Sequence, residues 1–311
     1  MLQLGQTPAR IGLVGLLASL GCQEALSDPP TSFAGDAASP SADAGAEDVI
    51  PFHIPTACNG DEALCDLPLN QVAHATTHNA MATQADGFFA PNQTHSLTKQ
   101  LEDGIRALML DLHLQGSEAW LCHGTCAVGK RPLVDGLSEI AAFLAANQRE
   151  VVTLILESYL SVNAFEEALE AAGLDAMALA HEPGDPWPTL GELIDTGSRL
   201  VILSDQDGGE RPWYLDSRRL LYGNHWHAES PEELTCELIS EVKENGLFVL
   251  NHFLTNPVAL PAHAEAVNHN PTLGDHATRC AEEVGAIPTF LAVDFYEIGD
   301  VLEVVRSLNT R

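Results

Sequence analysis

Imidazoles and carboxylates recur at the ends of apolar runs in this sequence, where acid–base chemistry and cation binding could share one rim. His78 with Asn79 follows Ala-Thr-Thr, Asp111 and His113 close Ala-Leu-Met-Leu-Asp-Leu-His, and His123 follows Trp-Leu-Cys. Glu157, Asp205, His225 with His227, Asn251 with His252, and Asp294 end the later runs. Two imidazoles that titrate near neutrality can remove a proton from one oxygen while supplying one to another. Carboxylates beside them can orient an imidazole or hold a hard cation. Any single polar strand exit is ordinary, so the convergence of many on one rim carries the reading of an active site.

The elements that must position these residues are legible as a rhythm. Strand-like apolar runs at 71–77, 107–113, 151–157, 200–204, 220–222, 247–253 and 289–295 alternate with helix-like segments at 133–147, 164–172 and 301–308. Weaker helical periodicity covers 190–195, 232–242 and 276–284. This is the βαβ pattern of a parallel sheet, and seven or eight strands in one domain fit a (β/α) barrel better than a doubly wound open sheet. In a barrel, functional groups sit where strands end and βα loops begin.

Fourteen Lys and Arg against 44 Asp and Glu give the 311-residue chain a formal charge of -30. That excludes an electrostatic footprint for nucleic acid and generic attraction to anionic lipid. An anionic substrate would need a local cation, from side chains or a metal ion. Hydrophobic residues make up 45% of the chain, enough for a sizeable core.

Residues 1–22 read as an export signal, with Arg10 before the apolar segment 11–20. Ser-Leu-Gly-Cys, with the unusual Ser19, resembles a bacterial lipobox, which would place a lipid on Cys22 and tether the protein to the membrane of a bacterial cell envelope. An ordinary cleaved signal with secretion is the alternative. Residues 23–50, rich in Ala, Ser, Pro and Asp, read as a flexible tether to a folded domain over 51–311. Six further cysteines suit an oxidising compartment. Proximity favours Cys58 with Cys65 and Cys122 with Cys126, leaving Cys236 for Cys280. A zinc site competes with this pairing, but no second close Cys or His pair completes one.

Thr76-Thr77-His78-Asn79-Ala80, Gln100-Leu101 with Gly104-Ile105-Arg106, Leu110-Asp111, Cys122-His123-Gly124, Glu150-Val151-Val152 and Glu157 occur in the order and spacing of a known domain. The chain resembles the X domain of phosphatidylinositol-specific phospholipases C. Trp187-Pro188-Thr189-Leu190, Arg199-Leu200-Val201 and Leu291-Ala292-Val293-Asp294-Phe295-Tyr296 look like the phosphodiesterases that consist of an X domain alone. The resemblance spans roughly 56–300 and is weakest over 205–245.

The resemblance implies a distorted TIM-type (β/α) barrel and a phosphodiesterase acting on an inositol phospholipid or a small phosphodiester. It gives His78 the role of general base, His123 that of general acid, and Asp294 that of the carboxylate orienting the base. It also implies Ca2+ (or Mg2+) held by Asn79, Asp111 and Glu157, although Met109 stands where the pattern has a Glu. Lys130 and Arg131, just beyond His123, are candidates for binding the substrate phosphate, with a solvated loop pair as the alternative. Two other functions remain open: a metal-dependent glycerophosphodiesterase or sphingomyelinase D-like enzyme, and a non-catalytic surface lipoprotein binding a headgroup or partner.

Overall fold

The computed structural model describes residues 56–310, so the expected export signal, Cys22, the tether and the domain start at Pro51 lie outside the described residues. Among the described residues there are ten strands: β1 His74–Thr77, β2 Ala107–Gln115, β3 Glu118–Leu121, β4 Arg131–Pro132, β5 Val152–Ser158, β6 Leu200–Ser204, β7 Leu215–Asp216, β8 Leu221–Gly223, β9 Leu247–Asn251 and β10 Phe290–Val293. Eight of them form one curled sheet in the order β7-β6-β5-β2-β1-β10-β9-β8, parallel at every pairing. The helices are α1 Leu97–Asp103, α2 Leu133–Ala146, α3 Val162–Ala171, α4 Leu190–Thr196, α5 Ser217–Leu220, α6 Pro261–Val267, α7 Thr272–Val284 and α8 Val301–Asn309. Among the described residues β7 and β8 do not pair; the single turn α5 joins them, and there the TIM-type barrel is distorted.

Period-two alternation sorts the strand residues. Leu108, Leu110, Leu154, Leu156, Phe248, Leu250, Leu291 and Val293 pack in the outer core with α2, α3, α7 and α8. Ala107, Ile155, Val201, Leu203, Val249 and Phe290 pack in the inner one. Continuing the inner phase to the strand ends brings up Asp111, Glu157, Asp205, Asn251, His78 and Asp294, so the pleat alone aims these groups at one mouth.

The apolar run ending at His123 is a hairpin arm and not a barrel strand. β3 pairs antiparallel with β2, and β4 extends that ribbon. The arm runs back toward the rim, where Cys122 N–H donates to the Asp111 carbonyl at 3.2 Å. The helix expected over 232–242 is absent: only the turn Pro231–Glu233 forms. Leu234 and Cys236 are buried while Ile239 and Val242 are exposed, so no apolar face exists to stabilise a helix there. The three disulfides expected from proximity are present, with Cys236–Cys280 tying this irregular segment to α7. His276 lies within 4.8 Å of both of its sulfurs, but a disulfide leaves no thiolate for zinc.

Candidate active site

Parallel pairing of β1 with β10 runs from His74↔Phe290 to Thr77↔Val293, and His78 N–H continues it by donating to the Val293 carbonyl at 3.0 Å. The next residues on the two strands, His78 and Asp294, are thereby neighbours. His78 Nδ1 lies 2.9 Å from Asp294 Oδ1. The carboxylate is an acceptor, so Nδ1 carries the proton and Nε2 keeps a lone pair facing the mouth. Phe253, from the loop after β9, stacks on the His78 ring at 3.8 Å and 7° and prevents it from turning.

Asn79 leaves the strand with φ +46°, a left-handed conformation that asparagine tolerates well. Its side-chain nitrogen then lies 3.0 Å from His78 Nε2 and 3.2 Å from His123 Nε2. One amide therefore spans the two imidazoles. His123 is exposed at the rim on the Cys122–Cys126 loop, and partial desolvation of its ring, followed by the nearby His78, lowers its pKa below the ordinary value.

His78 and Asn79 border a cleft of about 340 Å³ lined also by Asp111, Glu157, Asp205 and Phe253, with Met109 and Ile155 deeper and Tyr159 and Trp226 on its wall. His123 is not among the lining residues and meets the cleft through Asn79. Asp111 and Glu157 are register partners on β2 and β5. Burial first, then the Glu157 carboxylate, raises Asp111 to about 7. The oxygen donors Asn79, Asp111 and Glu157 thus share a cleft whose acidic charge no Lys or Arg offsets, which is a donor set fitting a hard cation. Met109 lines the same cleft and offers no oxygen.

Lys130 and Arg131 are not among the residues lining this cleft. Lys130 Nζ sits 3.9 Å over the Trp120 ring and donates to Gln115 Oε1. Arg131 is engaged by Asp86 and Glu139. His113 stacks on Tyr159, and His252 is buried against His276. Sequence reasoning missed Phe253, Tyr159 and Trp226. It also missed Asn92, which donates to Asp294 Oδ1 at 2.9 Å. The one signal for Asn92 was the length and polarity of the segment between β1 and α1.

A family model described as PI-PLC X 1 matches residues 64–309. A PI-PLC X domain-containing protein of Arabidopsis thaliana is 30% identical over 78% of this chain and 63% of its own length. An uncharacterized secreted protein of Arthroderma benhamiae is 26% identical over 81% of this chain and 64% of its own. The chain thus spans a little under two thirds of these two relatives. A solved mutant of the phosphatidylinositol-specific phospholipase C from Staphylococcus aureus shares the fold with a TM-score of 0.58 at 12% identity, covering 79% of this chain and 93% of that one.

Proposed function

The chain belongs to the PI-PLC X domain family, and from that premise we propose that it is an exported phosphodiesterase of the phospholipase C type, acting through His78 and His123. The observation that carries this reading is the Asn79 amide lying within hydrogen-bond reach of both imidazole Nε2 atoms, with Asp294 behind one of them.

In the proposed reaction a hydroxyl adjacent to the phosphoester gives its proton to His78 Nε2, and its oxygen forms a bond to phosphorus. The bond from phosphorus to the leaving oxygen breaks, and that oxygen takes a proton from His123. A cyclic phosphate and an alcohol result. Asp294 holds Nδ1–H of His78 and stabilises the imidazolium, as in a catalytic triad. Ca2+ or Mg2+ bound by Asn79, Asp111 and Glu157 would supply positive charge to the phosphate oxygens.

The substrate is an inositol phospholipid or a related small phosphodiester. With three carboxylates and no Lys or Arg lining the cleft, a headgroup carrying only the scissile phosphate fits best. Export is supported by three disulfides and by a relative described as secreted. Lipid attachment at Cys22, which would hold the enzyme at a membrane, is part of the same proposal.

Phosphatidylinositol vesicles incubated with the full chain should release a cyclic inositol phosphate, and His78→Ala should abolish that release. Turnover unaffected by His78→Ala would overturn the assignment. Glycerophosphodiester or sphingomyelin cleavage in place of inositol phospholipid, lost on chelation, would favour the metal-dependent phosphodiesterase alternative. Headgroup binding without turnover of any phosphodiester would favour a binding lipoprotein.

A further inference from the structure

Resting on the two-histidine reading, we propose that Asn92 is a positioning residue that pins the Asp294 carboxylate against His78. Asn92 lies between β1 and α1 and is 2% exposed. Its Nδ2 donates to Asp294 Oδ1 at 2.9 Å and lies 3.5 Å from His78 Nδ1. The direction of the amide is fixed by chemistry, because its oxygen in that place would oppose the acceptor Asp294 Oδ1 at 2.9 Å.

Asp294 Oδ1 therefore accepts from both His78 Nδ1–H and Asn92, while Oδ2 is buried with no hydrogen-bond partner. Two donors on one oxygen make the two carboxylate oxygens inequivalent and hold the rotation about Cβ–Cγ. With His78 as sole donor, the carboxylate could swing about that bond and carry the imidazole with it. The base would then drift from the line of attack.

The surrounding fold is built to hold Asn92. Its N–H donates to the Ala82 carbonyl at 2.9 Å, and its carbonyl accepts from Phe295 N–H, one residue past Asp294, at 2.8 Å. The adjacent Gln93 donates to the carbonyls of His78 at 2.8 Å and Val293 at 3.0 Å, and accepts from Tyr296 N–H at 3.2 Å. Gln93 ties together the two strand ends that carry the pair, and Asn92 sets the side chain between them. Asn92 Oδ1 is itself buried without a partner. A side chain that merely filled space would avoid that burial penalty, so the amide donor is what the position requires.

Two variants separate donor from shape: Asn92→Ala removes the amide, and Asn92→Asp keeps its outline while exchanging the donor for an acceptor. On whichever phosphodiester the wild type turns over, kcat should fall about 30-fold in both at neutral pH, with KM within about twofold of wild type. A second readout needs no substrate. The proton on His78 Nδ1, assigned by its disappearance in His78→Gln, should give a slowly exchanging downfield NMR resonance in wild type that broadens or vanishes in both variants. Wild-type behaviour of Asn92→Asp, an effect on KM alone, or an unchanged Nδ1–H resonance would overturn the proposal. If the wild type turns over no phosphodiester yet the resonance responds, the functional reading fails and the positioning of Asp294 by Asn92 stands.

Discussion

Asp111 and Glu157 occupy one rung of the β2–β5 ladder, and the inner phase of the pleat directs both carboxylates into the same cleft. Burial first, and then the neighbouring Glu157 carboxylate, raise Asp111, and no Lys or Arg lines the cleft to offset the acidic groups. Titration of the protein with Ca2+ by calorimetry should therefore detect binding, and Asp111→Asn should weaken it about tenfold or more. Equal affinity in Asp111→Asn would remove Asp111 from the cation site.

His78→Ala should lower kcat by at least about 1,000-fold, and Asp294→Asn by about 100-fold to 10,000-fold with little change in KM. Asp294→Asn keeps the shape but withdraws the acceptor that fixes Nδ1–H, so its loss should resemble a change of tautomer. Steady-state kinetics on the preferred phosphodiester read this directly. An active Asp294→Asn enzyme would show that the 2.9 Å contact with His78 is structural only.

Headgroup charge should matter more than acyl composition. Each phosphate added to the inositol ring brings negative charge into a cleft lined by Asp111, Glu157 and Asp205, so kcat/KM should fall with each one. Raised salt should narrow the difference between plain and phosphorylated headgroups by screening. Competition assays with the two substrates in one vesicle provide the comparison, and a preference for the phosphorylated lipid would contradict the charge argument.

Acid should destabilise the fold through two histidines behind the site. His252 and His276 meet Nδ1 to Nδ1 at 2.7 Å, and burial lowers them to about 3 and about 4 respectively. Each is 4% exposed or less. Their folded values lie below the ordinary 6.5, so their neutral forms are fully compatible with the fold above that pH. As pH falls from there toward 4 the unfolded chain takes up protons that the folded one does not. Each group then removes up to about 1.4 kcal/mol of stability per pH unit. Urea unfolding at pH 7 and pH 5 should show this loss, and His276→Gln should have a shallower dependence on pH whatever its absolute stability.

Periodicity and strand-end chemistry were sufficient for the barrel and for much of the rim. The runs 107–113 and 151–157 are apolar at both phases, as buried parallel strands are, so the sequence places Asp111 and Glu157 at strand ends while the packing of the two cores decides that their phase is the inner one. The expected strands at 200–204 and 247–253 lie where β6 and β9 form, and α8 follows the periodicity read at 301–308. The segment 232–242 does not form the helix its apolar spacing suggests, because the Cys236–Cys280 tie and the turn at Pro231 together fix an irregular path.

What the sequence by itself determined was that polar groups, among them His78, Asp111, Glu157, Asp205, Asn251 and Asp294, close the strand-like runs; the packing of the strands then put these on the inner phase. Tertiary structure alone decided what loops and hairpins bring to them. The antiparallel return of β3 sets His123 beside Asn79, while the same ribbon sends Lys130 to Trp120 and Arg131 to Asp86 and Glu139. Asn92 reaches His78 from a segment with no repeat to read, and Phe253, expected at the end of a strand over 247–253, does so from the loop that begins after Asn251. A pleat repeats every two residues and can be counted along the chain, whereas loop closure depends on contacts between residues far apart in it.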